Sequence, residues 1–169
     1  MLCWVLAIVS KFNRTLYQRG KRAEYKVIKL AEKYGYICIR SPASGAGAKK
    51  AMFPDVVCVN PKVCDTLAIE VKYTKKVEVR YLNEHQYEAL KYWHSKGARA
   101  FVVVVFEGGY MVAVPFDKLV PHYSQDSKTK YVAKVTAELM KTAKKFEDIL
   151  AEAVHKGLPA FFPEKDSPH

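Results

Sequence analysis

Two acids and a lysine interrupt the most strand-like part of this chain. Asp55 sits in Pro54-Asp55-Val56-Val57, and Glu70 and Lys72 sit in Leu67-Ala68-Ile69-Glu70-Val71-Lys72. The runs around them are apolar and β-branched, and an ionised group carried inward by such a run costs several kcal/mol unless it gains a partner. Side chains alternate faces along a strand, so Glu70 and Lys72 point one way while Ile69 and Val71 point the other. Two carboxylates and an ammonium then converge at one end of a hairpin. That set suits Mg2+, a hard cation that takes one or two carboxylates together with water and phosphate oxygens. An ordinary buried ion pair between Lys72 and one acid accounts for the same residues without a metal.

A third acid, Glu24, lies in a stretch where Ala23, Val27, Leu30, Ala31 and Tyr34 recur with helical period, which predicts a helix over Tyr17–Tyr34. Glu24 borders the apolar face of that helix. Every nearby charge except Glu32 is basic. A solvated helix carboxylate is the plainer reading of the same residue.

Four segments follow one another at characteristic spacing: Gly20-x-x-x-Glu24, Ile39-Arg40-Ser41-Pro42-Ala43-Ser44, Pro54-Asp55-Val56-Val57 and Ile69-Glu70-Val71-Lys72-x-Thr74-Lys75-Lys76. In order and spacing this set resembles the archaeal Holliday junction resolvase family, a branch of the PD-(D/E)xK nucleases. The resemblance covers about Gln18 to Leu119. It implies an α/β fold, a restriction-endonuclease-like mixed β-sheet flanked by helices, here with an extra C-terminal helix. It also implies a homodimeric, Mg2+-dependent endonuclease, with Mn2+ as the substitute ion, that makes paired symmetric nicks in four-way DNA junctions. Carried over position by position, Glu24, Asp55 and Glu70 are similar to the family's acidic metal-site residues and Lys72 to its catalytic lysine. The main-chain carbonyl of Val71 is expected to complete the metal shell. Arg40 resembles the basic residue that ends the first strand, and Ser41 or Ser44 the serine of the active-site loop. The chain departs from the pattern in three ways. Tyr25 stands where the family often has Arg, the loop from Pro42 to Phe53 is long, and both ends carry extensions. A nuclease of the same fold that cuts duplex or flap DNA, or a metal-free DNA-binding module, is the alternative.

Charge agrees with a nucleic-acid partner. The chain has 28 Lys and Arg against 17 Asp and Glu, and residues 1–50 alone hold eleven basic side chains and two acids, hence nine of the eleven net charges. Such a cluster attracts phosphates without regard to base sequence. The expected DNA contacts are Arg19, Lys21, Arg22, Arg40, Lys49, Lys50, Lys75 and Lys76. A lysine-rich thermophile surface carries similar charges with no DNA.

At 169 residues the length suits one domain. The expected division is an N-terminal extension over 1–16, a nuclease domain over 17–120 and a C-terminal helical extension over 121–169. Met1–Val9 is apolar but too short to span a bilayer, and its flanking basic residues follow rather than precede it. It reads as an added strand or arm, or as the product of an upstream start codon, and not as a signal peptide. No membrane partner is expected, and the expected location is cytoplasmic. Cys3, Cys38, Cys58 and Cys64 lack CxxC spacing, which disfavours a zinc or iron-sulfur site. Cys38 and Cys58 lie in strand-like runs and are expected to pack as small apolar residues, with a disulfide as the alternative for a hyperthermophile.

Strands are expected at Tyr36–Arg40, Asp55–Asn60 and Leu67–Lys72. Asn83 with Gln86 three residues on forms a candidate capping box, Leu82 and Tyr87 a hydrophobic staple, and Gly97 a helix stop. Ala100–Phe106 is apolar on both faces and should be a central strand, with Gly108-Gly109 closing a hairpin. Val132, Val135, Leu139, Phe146 and Ile149 predict one amphipathic helix over Tyr131–Ala153. The helix over Asn83–Lys96, with Leu90 and Trp93, and the strand Phe101–Phe106 are candidates for a dimer contact, and internal core packing explains them equally well.

Overall fold

A computed structural model describes residues 2–41, 53–124 and 130–156, with residues 2–14 and 16 described by backbone alone. In chain order the elements are α1 (Leu2–Lys33), β1 (Ile37–Arg40), β2 (Val56–Asn60), β3 (Asp65–Thr74), β4 (Arg80–Asn83), α2 (Glu84–Ser95), β5 (Arg99–Phe106) and β6 (Met111–Pro115). After a short 3-10 turn at Phe116–Lys118 come β7 (Val120–Pro121), β8 (Tyr131–Val135), α3 (Ala137–Thr142), β9 (Lys144–Lys145) and α4 (Phe146–His155).

A mixed sheet in the order β1-β2-β3-β5-β6-β9 forms the centre, and a second sheet, β4-β8-β7, lies beside it. β3 and β5 run parallel, so the chain must cross over between them, and α2 is the helix in that crossover. Val102, Val103 and Val104 are fully buried because both faces of β5 are covered. One face carries Leu67, Ile69 and Val103 against Val27 and Ala31 of α1 and Phe146 and Leu150 of α4. The other carries Ala68, Val102 and Val104 against Leu82 of β4, Leu90 of α2, Val135 of β8 and Met140 of α3.

Local signals in the sequence explain several boundaries. Asn83 caps α2, its side chain accepting the Gln86 N–H while the Gln86 side chain accepts the Asn83 N–H. Leu82 and Tyr87 both join the core under that cap. At the other end Gly97 adopts φ +90°, donating to His94 while Ala98 donates to Trp93, the paired bonds of a Schellman ending. Gly108 and Gly109 close the β5–β6 hairpin with positive φ.

Four expectations change. The apolar start of the chain is helical and not a strand, because α1 begins at Leu2 and runs unbroken to Lys33, a stretch with no proline. The single helix expected over Tyr131–Ala153 is four elements, β8, α3, β9 and α4. Tyr131–Val135 pairs with β4, and Thr136 caps a new helix by accepting the Leu139 N–H. Cys38 and Cys58, directly opposite one another on β1 and β2, form a disulfide rather than separate packed thiols. Phe101–Val105 of that strand and Leu90 are occupied by the chain's own core and are not exposed for a dimer contact.

Candidate functional site

The site lies where β2 begins and β3 runs past it. The pairing of β2 with β3 has its final match at Val56 and Ile69. Beyond that point the Asp55 carboxylate takes over, its Oδ2 accepting the Val71 N–H at 2.8 Å. The N–H and C=O of a strand residue face the same neighbour, so the Val71 carbonyl lies on the Asp55 side of β3. Across the β1–β2 pair, Ser41 donates its N–H to the Asp55 carbonyl at 2.9 Å.

Glu70 leaves β3 on the face shared with Ala68 and keeps 2 % of its exposure. Burial, reinforced by the neighbouring Asp55 charge and only partly offset by Lys72, pushes its carboxyl up to about 8. Lys72 Nζ donates to Glu70 Oε1 at 3.2 Å and to Gln86 Oε1 at 2.8 Å. Gln86 therefore serves two partners. Its place at the third position of α2 marks the capping box, but no spacing rule reveals that the same oxygen reaches the lysine of another element.

Glu24 pairs with Arg40, whose guanidinium also lies 5.8 Å from the centre of the Tyr25 ring. Burial raises the Glu24 carboxyl, Arg40 counters it, and the Asp55 charge raises it further. Asp55 thus acts electrostatically on both glutamates. The helix bearing Glu24 covers the sheet face opposite to the one from which Glu70 projects. Among the described residues no three His, Cys, Asp or Glu side chains come close enough to hold an ion by themselves.

The donor set still fits a divalent ion. Of two adjacent carboxylates, the buried one resists ionisation, a cost that a hard cation beside it would offset, and such a cation needs only one or two protein carboxylates. Asp55, Glu70 and the Val71 carbonyl would supply that minimum, with Glu24 one layer away.

Of the expected DNA contacts, Arg22, Lys75 and Lys76 are exposed and Arg19 and Lys21 half-buried. Lys21 lies 4.4 Å from the centre of the Tyr17 ring, and Lys75 pairs with Glu107 at 3.6 Å. Ser44, Lys49 and Lys50 lie outside the described residues. No helix among the described residues is long and apolar enough to cross a membrane.

The family model of the archaeal Holliday junction resolvase (Hjc) matches residues 15–157, well past the Gln18–Leu119 stretch that carries the resemblance. The solved structure of Hjc from Archaeoglobus fulgidus, a Holliday junction resolvase from an archaeal hyperthermophile, shares the fold with a TM-score of 0.60 at 23% identity. The match covers 78% of this chain and 99% of that one. The motifs, the mixed sheet that brings Asp55, Glu70 and Lys72 together and the extent of the family match give one conclusion: the chain belongs to the archaeal Holliday junction resolvase family and is a nuclease of branched DNA.

Proposed function

We propose that this resolvase nicks DNA at the Asp55, Glu70 and Lys72 group with Mg2+ as its ion, Mn2+ substituting, and that it works as a homodimer making paired symmetric nicks. The observation that carries the reading is the buried Glu70 carboxyl beside Asp55 and in contact with Lys72. Asp55, Glu70 and the Val71 carbonyl would hold the ion, with Glu24 reaching it through water. Bound there, the ion would supply Lewis acidity toward the scissile phosphate and lower the pKa of a water that serves as nucleophile.

The chain's own residues do the rest. Lys72 sets a positive charge beside the reacting phosphate and offsets charge that develops there. Arg40, already steered by Glu24, grips a neighbouring phosphate together with Ser44 or Ser41. Arg19, Lys21, Arg22, Lys49, Lys50, Lys75 and Lys76 draw the junction arms toward the site. All the proposed catalytic side chains fall within residues 17–120, the proposed nuclease domain, and the location proposed for a protein that acts on DNA is the cytoplasm.

Replacing Glu70 or Asp55 by Ala should abolish nicking of a synthetic four-way junction and leave junction binding nearly intact. Undiminished nicking by either variant refutes the assignment. Symmetric cutting needs two sites in fixed relation, which a twofold dimer supplies. Sedimentation at micromolar concentration should show the dimer, and a strictly monomeric species contradicts it.

A further inference from the structure

The geometry points to Gln86 as a positioning residue that holds the Lys72 ammonium in register with Glu70, an inference that rests on the catalytic role proposed above for Lys72. A lysine carries a long, flexible stem, and ordering it costs rotamer entropy. The bond to Glu70 at 3.2 Å comes from a residue two positions away on the same strand and leaves the ammonium free to swing about that contact. The bond to Gln86 at 2.8 Å comes from α2 and fixes a second direction.

Gln86 is itself held. Its backbone N–H donates to Asn83 Oδ1 at 3.0 Å, and its Oε1 accepts the Asn83 N–H at 3.2 Å. One carbonyl oxygen has two lone pairs, and here one serves the helix cap and the other the lysine. An ammonium only donates, so the amide must present its oxygen and not its NH2 group. The cap alone requires nothing of Lys72. A cation beside the N-terminus of α2 also opposes the helix dipole, so its placement there does not serve the stability of α2. The first turn of α2 therefore sets the reach of the lysine.

The test compares single-turnover nicking and junction affinity in Gln86→Ala, Gln86→Met, Gln86→Glu and Lys72→Met, with Thr136→Ala as a control that loses the cap of a different helix, α3. If Gln86 positions Lys72, Gln86→Ala and Gln86→Met each slow nicking about 10-fold or more at unchanged junction affinity. Gln86→Glu, which keeps an acceptor for both the lysine and the cap, restores most of the rate. Thr136→Ala lowers the melting temperature without slowing nicking. Native nicking rates in Gln86→Met overturn the inference, as does a loss that Gln86→Glu fails to rescue. If Gln86→Ala does not fold, Gln86→Met, which keeps the side-chain length, decides alone. Undiminished nicking by Lys72→Met brings down the catalytic assignment itself, whereas loss in Lys72→Met with none in Gln86→Met brings down only the role of Gln86.

Discussion

Asp55 Oδ2 accepts the Val71 N–H at 2.8 Å, so a side chain continues the strand ladder one step past the end of β2. One carboxylate oxygen is thereby fixed, and the charge of the group is brought to bear on Glu70. Asp55→Asn keeps an acceptor for Val71 and loses the charge. It should fold normally and nick on the order of 100- to 1000-fold more slowly. Asp55→Ala also strips the N–H of its partner, which costs about 1–3 kcal/mol if the group stays buried. Thermal unfolding of the two variants, set beside their nicking rates, separates the two effects.

Without divalent ions, stability should fall as pH rises through neutrality. The Glu70 carboxyl is held up to about 8 against an ordinary 4.5, so the native chain keeps a proton that the unfolded chain releases between those values. The contribution is fully present below 4.5 and is lost as pH rises through 8. Glu70→Gln should flatten this slope. Added Mg2+ or Mn2+ should raise the melting temperature most at the alkaline end, where the carboxylate is free to bind. Melting curves in chelator and in ion from pH 5 to 9 check both statements.

The Cys38–Cys58 disulfide ties together the two strands that lead to Arg40 and Asp55. Its reduction should destabilise the chain by on the order of 3 kcal/mol, through the closed loop it imposes on the unfolded state. Denaturant unfolding with and without a phosphine reductant measures this. The Cys38→Ser, Cys58→Ser double variant should match the reduced protein and respond to reductant no further.

Arg40→Ala should weaken junction binding and reduce the slope of log affinity against log salt by about 1, as loss of one phosphate contact requires. It also frees the Glu24 carboxylate, now paired with Arg40. Fluorescence anisotropy across a salt series distinguishes this from a fold defect, which would leave the slope unchanged in the surviving fraction.

How far the sequence could be read depended on whether a signal was local. The cap at Asn83, the stop at Gly97 and the double-sided burial of β5 rest on spacing within a few residues, and all three took the expected form. The β8–α3–β9–α4 run did not. Its apolar positions satisfy a helical period as well as the pieces actually formed, and the pairing of Tyr131–Val135 with β4 depends on a partner some fifty residues away in the chain. The same limit applies at the site. Asp55, Glu70 and Lys72 are legible as charges in apolar strands, whereas the double duty of Gln86 and the layer that separates Glu24 from Glu70 arise only when the helices dock.

The central claim is that Asp55 and Glu70 share one divalent ion, and anomalous diffraction from Mn2+-soaked crystals tests it most directly. The account requires a peak bridging the two carboxylates within coordination distance, absent in Glu70→Gln. A peak elsewhere, or Mn2+-dependent nicking with no ion between Asp55 and Glu70, contradicts it.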